Sequence, residues 1–139
     1  MKRLIAAIAL LPTIAFAEES AWGPFTNQPV DGIMWEFKKN SLDVIKDENR
    51  IYWTYLFRTY KKGESKYDFV KIAVPVNGCA NKNGTMYLLD LNNEKQGEVP
   101  FVFDGGTLGS NMAQQICKQG DLVLEKIKQQ ENEPKPTSA

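Results

Sequence analysis

The run from Ile51 to Tyr60 leaves little freedom for the rest of the chain. Ile51, Trp53, Tyr55 and Phe57 alternate with Tyr52, Thr54, Leu56 and Arg58. Nearly every position is β-branched or aromatic, the chemistry of a pleated strand. Neither alternating set is plainly polar, so the strand needs cover on both sides. That predicts a central strand, one side on the core and the other under a helix or a second layer.

Shorter extended segments surround it. Asp31-Gly32 reads as a turn, followed by a strand Ile33 to Lys38 with Trp35 and Phe37 on one face. Ser41 to Ile45 is a second short extended piece, and Lys46-Asp47-Glu48-Asn49 a charged hairpin loop. After a turn at residues 61–65, Asp68 to Val76 alternates with Val70, Ile72, Val74 and Val76 on one face. Pro75 removes a ladder donor and predicts a sheet edge there. Asn81-Lys82-Asn83-Gly84 reads as a turn, as Asn-Gly pairs commonly do. Strands Thr85 to Leu91 and Gly97 to Phe103 follow, the last stopping at Asp104-Gly105-Gly106.

The periodicity then changes. Met112, Ala113, Ile116 and Cys117 lie on one helical face, with Ser110 or Asn111 as cap and Gly120 as stop. Leu122, Leu124 and Ile127 predict one more strand or helical turn. There is no βαβ alternation and no internal repeat. The fold class expected is α+β: an antiparallel sheet of about five or six strands with a short C-terminal helix.

Lys2 and Arg3, the apolar run Leu4 to Leu11 and then Ala15-Phe16-Ala17 have the form of a secretory signal cleaved after Ala17. The apolar run is too short to cross a bilayer, which takes roughly 20 residues. No cysteine follows the cleavage point until Cys79, so a lipid anchor there is not expected. The expected organisation is a signal peptide over 1–17, an irregular lead-in over 18–30 with Trp22 or Phe25 packed on the domain, an α+β domain over 31–128 and a disordered tail over 129–139. The expected location is the periplasm, with secretion or the cell surface as the other destinations.

The chain holds two cysteines and no histidine. A closed zinc site takes four ligands, and a C-x-x-C redox spacing is absent. In an oxidising compartment the remaining reading is a Cys79–Cys117 disulfide. Without histidine no Ser-His or Cys-His catalytic arrangement exists. The 17 basic and 17 acidic residues balance, which excludes the basic footprint of a dedicated nucleic-acid binder. Asp90, Glu94, Glu98 and Asp104 could supply a carboxylate pair, and Asp90, Asn92, Asn93 and Glu94 could clasp calcium, but turn chemistry explains them more simply. Gly105, Gly106 and Gly109 lack the context of a phosphate cradle. No catalytic residue, metal or cofactor is expected.

The contact patch expected is Arg58, Tyr60, Lys61, Lys62, Lys66 and Tyr67, basic and aromatic side chains at one hairpin end. Arg and Tyr are enriched at binding hot spots, and a cationic patch suits an anionic macromolecule or an acidic protein surface.

The layout is similar to a known family. A Trp-containing strand is followed by Lys39 to Leu42 and the aromatic strand Ile51 to Tyr60. Then Val70 to Cys79 runs into a cysteine, a return strand follows, and Gly109-Ser110 precedes Cys117 in a short helix. Over Ile33 to Lys118 this resembles the surface-adhesin protein E-like domains of Gram-negative bacteria. The resemblance implies an exported, non-enzymatic, adhesin-like binding domain that contacts a macromolecular partner in the periplasm or at the cell surface. The alternative is a periplasmic inhibitor or immunity protein that plugs a partner enzyme.

Overall fold

A computed structural model describes residues 21–132. The signal peptide expected over 1–17 and the last part of the tail, 133–139, lie outside the described residues. The fold is α+β: an antiparallel sheet with strand order β1-β2-β4-β5-β6-β7, in which β3 also pairs with β4. The strands are β1 Trp22–Pro24, β2 Ile33–Lys38, β3 Asp43–Asp47, β4 Arg50–Lys61, β5 Asp68–Pro75, β6 Asn83–Leu89 and β7 Lys95–Val102. Helix α1 is Val76–Asn81 and helix α2 is Leu108–Asn132. The described residues cluster into two compact units, 21–41 with 56–69, and 42–55 with 70–132.

In the first unit, β2 pairs with the second half of β4, Ile33 opposite Lys61 and Phe37 opposite Phe57. Asp31 and Gly32 make the expected turn, both at positive φ. The lead-in is less irregular than its composition suggests, because Trp22–Pro24 forms a strand on β2. Phe25 and Trp35 both meet Phe57 edge to face, at 5.4 and 6.3 Å between centroids. Such edge-on pairs put the positive ring rim on the negative ring face.

In the second unit, β3 pairs with the first half of β4, closing on the turn Glu48-Asn49 between Asp47 and Arg50. Lys46 and Asp47 therefore belong to the strand and not to the loop. Tyr52, Trp53, Thr54 and Tyr55 are buried in succession, as a strand covered on both faces requires. One face is covered by α2. A methyl at Gly109 would meet Met86 and Val99, and one at Gly120 would meet Trp53. Ile72, Val74, Met86, Phe101, Met112 and Ile116 are almost fully buried in this unit.

Several expectations need correction. Pro75 does not mark a sheet edge, since β5 is an interior strand. Proline closes β5 and, at φ −64° and ψ 136°, starts α1, where its missing N–H costs nothing. Residues 76–81 are therefore a helix that strand alternation did not reveal. Asn83-Gly84 is not the turn: Lys82 takes the left-handed conformation at φ 64°, and Asn83 already pairs with Val102.

The C-terminal helix is not short either. It runs 25 residues straight through Gly120, which is helical and not at positive φ. Beyond it, residues 121–131 are rich in Leu, Glu, Lys and Gln, all good helix formers. Positions 129–132 of the expected disordered tail are thus helical. The cap is Thr107 rather than Ser110 or Asn111. Its Oγ1 accepts from the Ser110 N–H at 3.0 Å, and its carbonyl accepts from the Asn111 N–H at 3.0 Å. Ser110 is instead buried, its Oγ accepting from Val102 N–H at 3.3 Å and from the Thr107 hydroxyl at 2.9 Å.

The expected disulfide is present. Cys79 in α1 and Cys117 in α2 are bonded, with Cα atoms 5.5 Å apart. No helix among the described residues is long and apolar enough to cross a membrane.

Candidate functional site

The hairpin end expected to make contacts lies in the first unit, where it has an internal anchor. Arg58 and Glu36 face each other across the β2–β4 register. Arg58 Nε donates to Glu36 Oε1 at 2.6 Å, each side chain only about a fifth exposed, at 20% and 21%. Two rings close on the guanidinium, Trp22 at 4.3 Å and Tyr67 at 4.0 Å. A partly desolvated cation over an aromatic face contributes roughly 0.5–2 kcal/mol. Tyr60 meets Tyr67 at 5.3 Å, and Trp22 meets Phe69 at 5.9 Å. Four rings and one ion pair therefore fix this end of the sheet.

Of the six expected residues, the fold brings Arg58, Tyr60 and Tyr67 into one stack. Lys61 ends β4, and Lys62 and Lys66 lie in the following loop, all three exposed. Tyr67 keeps 39% of its surface exposed. Arg58 is the keystone of the cluster, and the outward-facing cations are the lysines. Trp22 and Glu36 were missed by sequence reasoning. Only the β2–β4 register identifies Glu36, and β3 intervenes between those strands in the chain.

The second unit carries a groove that composition did not disclose. Side chains alternate along β6, so Met86 points at α2 and Tyr87 points to the opposite face. There Tyr52, Ala73 and Leu89 form a buried cluster with Ile45 and Tyr87 packed on it. Tyr52 and Tyr87 meet edge to face at 5.7 Å. These residues floor an open groove of about 460 Å³, rimmed by Lys46, Asp47, Asn93 and Lys95. Lys95 lies 4.9 Å over the Tyr87 ring and 3.0 Å from Glu98. Its hydrogen bond to Glu98 raises the ammonium pKa above the usual lysine value. A smaller recess of about 260 Å³ adjoins Tyr87, lined by Arg50, Asn77, Asn81, Asn83 and Thr85 among others.

The acidic residues weighed for catalysis or calcium have local duties. Asp90 Oδ1 accepts from the N–H groups of Asn92 and Glu94 at 2.8 and 2.9 Å, holding the β6–β7 turn. Glu98 pairs with Lys95, and Asp104 sits at φ 63° with its N–H donating to Gln114 Oε1. Gly105 and Gly109 serve close packing: a methyl on Gly105 would lie 2.9 Å from Val102 Cγ1, and one on Gly109 3.0 Å from Met86 Cε. Among the described residues no group of three or more His, Cys, Asp or Glu side chains could hold a metal ion. In comparisons with known proteins, no family model, no curated protein and no solved structure matches this chain.

Proposed function

We propose that this protein is an exported, non-enzymatic binding domain of the protein E-like kind, which engages a macromolecular partner outside the cytoplasm. The proposed contact surface is the hairpin end, Lys61, Lys62, Lys66 and Tyr67 presented from the Arg58 stack. One observation carries the reading: the guanidinium of Arg58 is held by Trp22, Tyr67 and Glu36 at 4.3, 4.0 and 2.6 Å. A surface ordered before it meets its partner loses less conformational freedom on binding. The exposed lysines suit an anionic glycan, lipid headgroup or acidic protein face. A location outside the cytoplasm is supported by the Cys79–Cys117 bond, since such bonds persist in oxidising compartments.

The test is capture by the immobilised full chain from periplasmic and outer-surface fractions and from host matrix proteins. Reversal of Lys61, Lys62 and Lys66 to Glu, with the thermal transition unchanged, should abolish capture of the retained partner. Lys46→Glu on the groove of the second unit serves as the control. Capture that survives the triple reversal and fails in the control would move the site to the groove. Capture of a single enzyme with loss of its activity would favour the inhibitor reading.

A further inference from the structure

Burial along α2 changes abruptly at Gly120. Met112, Ala113, Ile116 and Cys117 are nearly inaccessible, and Gly120 lies against Trp53. The helical period carries this stripe onward to Val123, Leu124 and Ile127, which lie on the same side of the cylinder. There they are 37%, 41% and 45% exposed, and no residue from 121 to 131 is buried. Among the described residues, the core-facing stripe thus continues past the sheet uncovered. The overhang is about a dozen residues, ~18 Å of helix. A free helix of that length is marginal in water unless its apolar face is covered.

We propose that the overhang is a self-association face, two copies stacking their α2 overhangs antiparallel with Val123, Leu124 and Ile127 between them. Orientation follows from sterics. On the stripe side, the first half of α2 is occupied by its own sheet, through Trp53, Met86 and Val99. A parallel partner helix in register would run into that sheet. An antiparallel partner lies only under the overhang and carries its own sheet away at the other end. Charge fits the same arrangement. Asp121 and Lys128 are two turns apart on one flank of the stripe. Antiparallel stacking centred beside Leu124 brings Asp121 of each copy to Lys128 of the other, twice by symmetry. The stripe is far smaller than the ~800 Å² per partner of a standard interface, so the dimer is weak and depends on concentration.

Sedimentation of the full chain over a roughly hundredfold concentration range tests this. The mass should rise from that of one copy toward two. Ile127→Glu, at a position already exposed, should keep the far-ultraviolet spectrum and melting temperature of the dilute chain while weakening association about tenfold or more. Asp121→Lys or Lys128→Asp alone should weaken it, and the two together should restore it. A wild-type chain that stays single at every concentration would overturn the proposal. So would an Ile127→Glu variant that associates as wild type does, or a charge exchange that fails to restore association. Capture of an unrelated protein or of vesicles by a chain that stays single would assign the stripe to that other occupant instead.

Discussion

Gly120→Ala is the substitution for which general helix rules and this tertiary structure disagree in sign. By helix propensity alone, alanine should stabilise α2 by about 0.8–1.0 kcal/mol. In place, the new methyl would sit 2.4 Å from both Cε2 and Nε1 of Trp53 and 2.9 Å from Cδ1. Carbon contacts settle at about 3.5–4.0 Å, so helix and ring would have to part by about 1 Å. Trp53 is 8% exposed, so turning the ring away disturbs other packed groups. Overpacking of this kind costs about 1–3 kcal/mol. Two ring atoms at 2.4 Å put the cost in the upper part of that range, about 2–3 kcal/mol, so after the propensity gain the net loss should be about 1–2 kcal/mol, or roughly 3–8 °C in melting temperature for a domain of this size.

The assay is urea unfolding followed by far-ultraviolet dichroism, with the disulfide intact. A second background sharpens it. Trp53→Leu removes the ring atoms that the methyl would strike, so in that background Gly120→Ala should be neutral or stabilising. The coupling between the two positions should reach about 1 kcal/mol or more. A Gly120→Ala protein at least as stable as wild type, with Trp53 retained, would refute the close-packing reasoning.

Three further outcomes are expected. Non-reduced peptide mapping should yield a Cys79–Cys117 linked fragment, and replacing both residues by Ser should cost about 4 kcal/mol in chemical denaturation; an unchanged denaturation midpoint would remove the staple's role. Arg58→Lys keeps the charge but loses the planar contact with Trp22 and Tyr67, and should cost about 1–2 kcal/mol. Equal stability of the two proteins would mean that the stack contributes only geometry. Thr107→Ala should cost about 1 kcal/mol and Thr107→Ser much less, measured by the same melts; equal losses in the two would point away from capping.

Much of the architecture could be read before any tertiary contact was known. The doubly apolar strand read from Ile51 to Tyr60, the alternation from Asp68 onward and the pairing of Cys79 with Cys117 depend on local chemistry. Strand period, side-chain branching and redox compartment act over a few residues or on the whole chain, so they leave a trace in one dimension. Lengths were harder. Gly120 reads as a helix stop because glycine commonly ends helices, and nothing local reveals that Trp53 needs the space. Pro75 reads as an edge because proline lacks a donor, although here the lost donor falls where a helix begins.

The candidate surfaces divide in the same way. Arg58, Lys61, Lys62, Lys66 and Tyr67 stand close together in the chain, and their clustering is a property of sequence alone. Their anchoring by Glu36 and Trp22 comes from the pairing of β2 with β4, strands that β3 separates. The groove of the second unit draws Ile45, Tyr52, Ala73, Tyr87 and Lys95 from five different strands. Composition and periodicity settle which segments become strands or helices and which side chains seek cover. Which strand lies beside which, and so which distant residues share a surface, is set by long-range register, a choice made only when the whole sheet closes.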